Sequence, residues 1–116
     1  IRTVEAETAG NSGMIFAIAL NYGATEEIVR AAQGAALSGN ITKDSFEKHL
    51  LTKDLPPLDL LVRTGGEKRL SNFLLYQAAY AELEFVDVLW PDMTKGKIDK
   101  IFADFEKRNR RFGNVE

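Results

Sequence analysis

The chain has 116 residues, of which 45% are hydrophobic and 28% are charged, and its formal net charge is −2. This composition is typical of one globular domain and not of a disordered chain. The absence of cysteine excludes disulfides, thiolate metal sites and thiol nucleophiles, and the single histidine argues against a multi-histidine metal site. The near-neutral charge gives no electrostatic reason to expect a nucleic-acid partner.

The first half of the chain predicts helices on both sides of one buried strand. Residues 2–9 form a polar stretch with helical character. Residues 14–20 read MIFAIAL, and such a continuous apolar run is typical of a strand buried on both faces of a parallel sheet. Thr25 is a suitable N-cap for a helix that reaches about Leu37, and Thr42 opens the next helix in the same way.

The second half predicts two more strands, each followed by a helix. A strand at residues 58–62 ends at Arg63, and a helix covers residues 72–81. A third strand at residues 83–89 precedes a final helix at about residues 95–110. Strands that alternate with helices favour an α/β fold, in which helices flank a parallel sheet. Because three strands leave open edges, we expect an incomplete domain.

The segment after Arg63 has the composition of a phosphate or diphosphate site. Residues 63–72 read RTGGEKRLSN, and ligands of parallel α/β sheets bind at the carboxyl ends of the strands. The planar guanidinium groups of Arg63 and Arg69 suit phosphate oxygens, and the two glycines let backbone amides approach an anion. In the competing interpretation, Ser71 is an ordinary N-cap and Arg63 pairs with Asp59 or with Glu67. The pattern is neither of the common nucleotide-binding motifs.

Glu82 and the arginines near the C-terminus each allow two interpretations. Glu82 follows a nearly all-apolar stretch, so its carboxylate must be paired, solvated or bound to a cation. Magnesium near a diphosphate takes one or two carboxylates, and an ion pair is the alternative. The arginines among residues 108–111 suit the C-terminal end of a helix, with Gly113 as the C-cap.

Several motifs together resemble one family. Residues 60–75, LLVRTGGEKRLSNFLL, are followed by Gln77, Tyr80, Glu82 and the LWPD of residues 89–92, and this order resembles the C-terminal signature of the cis-prenyltransferases. LNYG at residues 20–23 and RRFG at residues 110–113 are similar to motifs of the same family. The resemblance implies that residues 1–116 are the C-terminal part of a single cis-prenyltransferase domain, whose N-terminal part is absent from this chain.

The resemblance also implies an activity. Members of the family condense isopentenyl diphosphate repeatedly onto an allylic diphosphate, usually farnesyl diphosphate, and they require magnesium. The product is a long-chain polyprenyl diphosphate such as undecaprenyl diphosphate. By resemblance, Arg63, Arg69 and Ser71 bind the isopentenyl diphosphate head, and Glu82 positions the Mg²⁺ ion.

The ends of the chain carry two further assignments from the resemblance. Arg111 and Gly113 match the terminal R-x-G motif, which reaches the active site of the neighbouring chain, so we expect a homodimer. Met14 stands where the family places a bulky residue near the closed end of the product tunnel. The alternative for Met14 is a plain core position.

The metal-binding aspartate of the family belongs to an N-terminal motif that has no counterpart among these residues. We therefore assign no catalytic residue and expect this chain by itself to be inactive. The alternative function is a noncatalytic partner subunit of a cis-prenyltransferase complex, although such subunits typically lose the arginine-rich loop. We expect a cytoplasmic protein without a nucleic-acid partner, and its lipid product favours peripheral association with a membrane.

Overall fold

The computed structural model describes residues 1–109, which form four α-helices and two β-strands. The helices are α1 (Arg2–Thr8), α2 (Ala24–Leu37), α3 (Lys43–Glu47) and α4 (Lys95–Glu106). The strands are β1 (Leu60–Arg63) and β2 (Glu82–Phe85). Two short 3₁₀ turns lie at Gln77–Tyr80 and Trp90–Asp92.

The two strands pair in parallel, as the alternation of strands and helices predicts. Leu60 lies opposite Glu82, and Arg63 lies opposite Phe85. The amide of Val86 donates to the carbonyl of Arg63 over 2.9 Å and extends the pairing beyond the carboxyl end of β1. This end of the sheet therefore carries the arginine-rich segment, where the sequence places the anion site.

Side-chain caps set the beginnings of α3 and α4. The Thr42 hydroxyl accepts from the amide of Ser45 at 3.1 Å, and the Ser45 hydroxyl accepts from the amide of Thr42 at 2.9 Å. Thr94 caps α4 by accepting from the amide of Lys97. Both helices begin within a residue of their predicted starts, because a cap depends only on residues one turn apart.

The helix that Thr42 opens is much shorter than its apolar pattern predicts. It ends at Glu47, and turns follow up to the proline pair at residues 56–57. The amide of Leu51 donates to the Glu27 carboxylate of α2 at 2.8 Å, so this amide is paired outside any helix. The long-range bond thus stabilises the turns at the expense of a longer helix.

The prediction of a buried strand at residues 14–20 is wrong for this structure. The segment forms no strand, and the side chain of Phe16 is 80% exposed. A strand needs a neighbour for its backbone hydrogen bonds, and the part of the chain that the structure describes offers only β1 and β2, which pair with each other. The apolar pattern alone does not create that neighbour.

The prediction of a helix at residues 72–81 is also wrong, and the third predicted strand is shorter than expected. The backbone φ angles are +48° at Ser71, +62° at Asn72 and +46° at Leu74, and left-handed residues interrupt a right-handed helix. Only the 3₁₀ turn at Gln77–Tyr80 is helical there. The strand predicted at residues 83–89 is β2, which ends at Phe85.

Candidate functional site

Arg63 is the centre of a small polar cluster at the carboxyl end of β1. Its Nη1 donates to the carbonyl oxygen of Arg69 at 2.6 Å and to the hydroxyl of Ser71 at 2.9 Å. The guanidinium group of Arg69 pairs with the carboxylate of Glu67. The fold therefore brings Arg63, Arg69 and Ser71, the three residues predicted to bind isopentenyl diphosphate, into one short loop. Of the competing partners for Arg63, Glu67 pairs with Arg69 instead.

The two glycines after Arg63 shape the turn and do not present their amides to a ligand. Gly65 and Gly66 have φ angles of +87° and +77°, which glycine adopts without strain. The amide of Gly65 donates to the carbonyl of Val88 at 2.9 Å, and that of Gly66 donates to Val86 at 3.0 Å. The expectation that these amides approach an anion is wrong, because backbone carbonyls already occupy both donors.

Ser71 is not the N-cap of a following helix. The next helical residues are Gln77–Tyr80, and the Ser71 hydroxyl accepts from Arg63. Left-handed backbone at non-glycine residues is uncommon, and strained conformations are concentrated at binding and catalytic sites. The strained backbone at Ser71 and Asn72 thus lies beside Arg63, which the sequence predicts to bind an anion.

An open cavity of about 320 Å³ lies against the Arg63 cluster. The guanidinium group supplies a fixed positive charge, and the other lining groups are mostly apolar. Such a combination suits a ligand with an anionic head and a hydrocarbon body. The lining residues are Leu61, Val62, Arg63, Thr64, Leu70 and Phe73.

Glu82 forms an ion pair. Its Oε2 accepts from Arg108 Nη1 at 3.1 Å, and Arg108 Nη2 also pairs with the carboxylate of Glu84. Hydrogen bonds to Glu84 and Glu82 raise the pKa of the Arg108 guanidinium further. The ion-pair interpretation of Glu82 is therefore what the structure shows. Residues 1–109 contain no group of three or more acidic or histidine side chains that could hold a metal ion.

Sequence reasoning missed a buried polar cluster around Glu27. Glu27 is the one charged side chain that the described part of the chain buries. Its carboxylate accepts from the Tyr22 hydroxyl, from Gln77 Nε2 at 3.1 Å and from the amide of Leu51. Burial and the hydrogen bond to Glu27 raise the pKa of the Tyr22 hydroxyl. Two adjacent acids in the first turn of a helix read as surface residues, so no sequence signal points to this cluster.

Met14 is the remaining predicted site residue among residues 1–109. Met14 is 88% exposed, so no tunnel or core surrounds it among residues 1–109. Arg111 and Gly113 lie outside the described residues. In that same range, no helix has the length and apolar character needed to cross a membrane.

The family model for undecaprenyl diphosphate synthase matches residues 1–113. An isoprenyl transferase from Neisseria gonorrhoeae is 50% identical over 117 residues, which are 99% of this chain and 47% of that protein. A ditrans,polycis-undecaprenyl-diphosphate synthase from Shewanella oneidensis, described as specific for (2E,6E)-farnesyl diphosphate, is 45% identical over 121 residues, 97% of this chain and 44% of that protein. This chain thus spans about half the length of these relatives.

A solved structure has the same fold. Lavandulyl diphosphate synthase from Lavandula x intermedia, in complex with dimethylallyl diphosphate, matches with a TM-score of 0.90 and 35% identity. The match covers 98% of this chain and 52% of that one.

Proposed function

Since this chain belongs to the undecaprenyl diphosphate synthase family of cis-prenyltransferases, we propose that its Arg63 cluster binds isopentenyl diphosphate in an enzyme that extends farnesyl diphosphate to undecaprenyl diphosphate. The observation that carries the proposal is the pairing of Arg63 with Ser71 and the Arg69 carbonyl beside an open cavity that has both polar and apolar lining groups. Both the head and the hydrocarbon body of isopentenyl diphosphate find suitable chemistry there. The name of the Shewanella relative supports the choice of primer and product.

Arg63 contributes to this reaction mainly by orienting the substrate. Condensation breaks the bond between the allylic carbon and its diphosphate, which leaves with the electron pair. The terminal alkene carbon of isopentenyl diphosphate bonds to that allylic carbon, and the adduct loses a proton to the released diphosphate, which restores a double bond. A guanidinium group already fixed by two hydrogen bonds holds the head of isopentenyl diphosphate without reorganising. Holding the head in place sets the double bond against the allylic carbon, and such positioning supplies much of a rate enhancement.

Magnesium is the proposed cofactor, with Glu82 as a ligand from this chain. Mg²⁺ binds oxygen donors and usually takes one or two carboxylates together with water and substrate phosphates, whose negative charge it stabilises. A half-exposed carboxylate fits this chemistry, and Arg108 retains Glu84 as a partner when Glu82 turns to the ion. One carboxylate is not a complete site, so the proposal requires further ligands from outside residues 1–109.

The assembly and location of the protein are proposals as well. We propose a homodimer in which Arg111 and Gly113 of each chain reach the diphosphate site of the neighbour. The enzyme is proposed to be cytoplasmic and to associate peripherally with a membrane, because its product is a lipid. A noncatalytic partner subunit is the second candidate, and it differs from the first in needing a separate catalytic chain.

Incorporation of radiolabelled isopentenyl diphosphate tests the function. The purified full-length protein is incubated with farnesyl diphosphate and Mg²⁺, and the chain length of the product is read by reversed-phase chromatography. We expect incorporation that stops when Mg²⁺ is chelated or the primer is omitted. Incorporation that needs a second, catalytic chain identifies a partner subunit, and binding of isopentenyl diphosphate without incorporation overturns the enzymatic proposal.

A further inference from the structure

The beginning of α2 is capped by a residue from a distant part of the chain. Gly23 occupies the N-cap position and has no side chain to offer. The amide of Ala24 donates to the backbone carbonyl of Asn72 at 2.9 Å, and that of Thr25 donates to Asn72 Oδ1 at 2.9 Å. The first amides of a helix have no partners within the helix. Asn72 therefore supplies two acceptors that α2 lacks.

Asn72 also bonds to the first turn of α2 through its amide nitrogen. Its Nδ2 donates to Glu26 Oε2 at 3.3 Å. This bond and those from the Glu26 amide and the Thr25 hydroxyl lower the pKa of the Glu26 carboxyl, with the Glu26 amide contributing most. A Cβ atom on Gly23 would lie 3.0 Å from Asn72 Nδ2, so the absence of a side chain at residue 23 makes room for this contact.

The conformation of Asn72 suits its residue type. Its φ angle is +62°, and asparagine enters the left-handed region more readily than most residues do. The aromatic ring of the next residue, Phe73, packs edge-on against Tyr22, with ring centroids 5.6 Å apart. Two contacts thus join this loop to the segment that leads into α2.

The same loop carries the hydroxyl that faces Arg63. Ser71 immediately precedes Asn72 and has a φ angle of +48°. Two consecutive left-handed residues need outside support because each is strained. The bonds of Asn72 hold one residue of the turn against α2, and the bond between Ser71 and Arg63 holds the preceding residue against the end of β1.

We propose that Asn72 is a positioning residue, which holds the Ser71 hydroxyl beside Arg63 by capping α2 and thereby sets the affinity of the site for isopentenyl diphosphate. The proposal rests on the proposed function of the Arg63 cluster. Asn72 acts through Ser71 and does not itself need to touch the substrate. Its loss is therefore expected to weaken binding of isopentenyl diphosphate more than it slows the chemical step.

Steady-state kinetics of the full-length protein test this role. Asn72→Gly keeps the left-handed backbone accessible but removes the side-chain cap. We expect the KM for isopentenyl diphosphate to rise by about tenfold, while kcat changes by less than about twofold. Asn11→Gly is the matched control, because Asn11 is an exposed asparagine in the segment after α1, and it should leave both constants unchanged.

A reversed pair provides the rescue. Asn72→Asp keeps the acceptor for the amide of Thr25 but places two carboxylates side by side, so this variant alone should also raise KM. Adding Glu26→Gln provides an amide at residue 26 that donates to the carboxylate at residue 72, which reverses the donor and acceptor of the wild-type bond. We expect KM to fall back toward the wild-type value. Gly23→Ala is an independent variant, because its Cβ atom would overlap Glu26 Oε2 and lie 3.0 Å from Asn72 Nδ2 and so disrupt the contact between them, and it should also raise KM.

Hydrogen exchange separates this proposal from the proposed function. Asn72→Gly should speed exchange at the amide of Thr25, whose acceptor is the Asn72 side chain, whether or not the protein is an enzyme. A wild-type protein without incorporation refutes the function, and isothermal titration with isopentenyl diphosphate then still measures the effect of Asn72 on affinity. Faster exchange with unchanged KM and unchanged affinity overturns the positioning role. The role is also overturned if kcat falls, KM rises and thermal stability falls together, and if the Asn72→Asp and Glu26→Gln double variant does not restore them.

Discussion

Arg63 and Glu82 lie at opposite ends of the two-stranded sheet and belong to opposite faces of it. Arg63 is the last residue of β1 and pairs with Phe85, whereas Glu82 is the first residue of β2 and pairs with Leu60. Three steps from residue to residue along a strand separate the two ends by about 10 Å, and side chains alternate between faces along a strand. The residue proposed to bind diphosphate and the residue proposed to bind magnesium are therefore not neighbours within this chain, and each needs its own test.

Replacement of Arg63 by alanine should lower turnover by roughly 10²–10³, the scale of losing one preorganised donor to a charged group. The same range is expected for Arg69→Ala. Arg63→Lys should recover little, since a lysine ammonium lacks the planar fork that binds two phosphate oxygens at once. The measurement is radiolabel incorporation, with Arg2→Ala on exposed α1 as the control. Full activity of Arg63→Ala would refute the assignment.

Glu82 and Glu84 form a matched pair for testing magnesium binding. Both carboxylates lie on one face of β2, share Arg108 and are similarly exposed. If Glu82 is the ligand, Glu82→Gln raises the Mg²⁺ concentration needed for half-maximal activity by about tenfold or more, and Glu84→Gln leaves it near the wild-type value. Titration of activity with Mg²⁺ makes the comparison. Equal responses of the two variants would reduce Glu82 to an ion-pair partner.

Met14→Ala should lengthen the polyprenyl product if Met14 stands at the closed end of the tunnel. The side chain is almost fully exposed among residues 1–109, so the tunnel needs parts of the protein beyond these. Ile15→Ala is the control, because Ile15 is the neighbouring exposed apolar residue and is not assigned to the tunnel. Chromatography of the labelled products reports their length. An unchanged distribution in Met14→Ala would favour the plain core interpretation.

Tyr22 should make folding stability sensitive to alkaline pH. Its hydroxyl donates to buried Glu27, and its folded-state pKa is raised above the ordinary 10.0. A raised folded pKa means that the folded state holds the proton more tightly, so this contribution is complete below pH 10 and is lost as pH rises toward the folded value. Urea unfolding of the full-length protein between about pH 9 and 11.5 measures this loss.

The matched variants for this experiment are Tyr22→Phe and Tyr80→Phe. Tyr22→Phe removes the titrating hydroxyl, so its unfolding midpoint should fall less steeply with pH than that of the wild type, although its stability at neutral pH is lower because Glu27 loses a donor. Tyr80 is 68% exposed, and Tyr80→Phe should follow the wild-type slope. Identical slopes in all three proteins would show that the bond between Tyr22 and Glu27 does not control the pH response.

The predictions that succeeded depend on residues close together in sequence. The helix at Ala24–Leu37, the cap at Thr42 and the start of the last helix at Lys95 follow from spacing within one or two turns, although Gly23 and not the predicted Thr25 is the N-cap of the first helix. The strand that ends at Arg63 follows from an apolar run. The turn after it follows from two glycines, which adopt positive φ angles without strain. Residues 63–72 contain both members of the pair between Arg63 and Ser71, so their proximity was predictable from the loop alone.

The predictions that failed required partners far away in the chain. Residues 14–20 have the composition of a buried strand, but burial depends on a neighbouring strand that residues 1–109 do not offer. Residues 72–81 have a helical pattern, but Asn72 forms long-range bonds to α2 and has a left-handed backbone conformation. A right-handed helix cannot include that conformation. The amides of Gly65 and Gly66 are predicted to approach an anion, yet the segment after β2 provides carbonyls for both.

Sequence by itself thus determined the family, the helix at Ala24–Leu37, the strand that ends at Arg63 and the identity of the arginine-rich loop, because each is encoded in contiguous motifs. Only the tertiary structure decided which polar groups pair. The capping of α2 by Asn72, the burial of Glu27 and the pairing of Glu82 with Arg108 each join residues at least 24 positions apart. A hydrogen bond depends on distance and direction in space, and folding sets both only when the separate segments pack together.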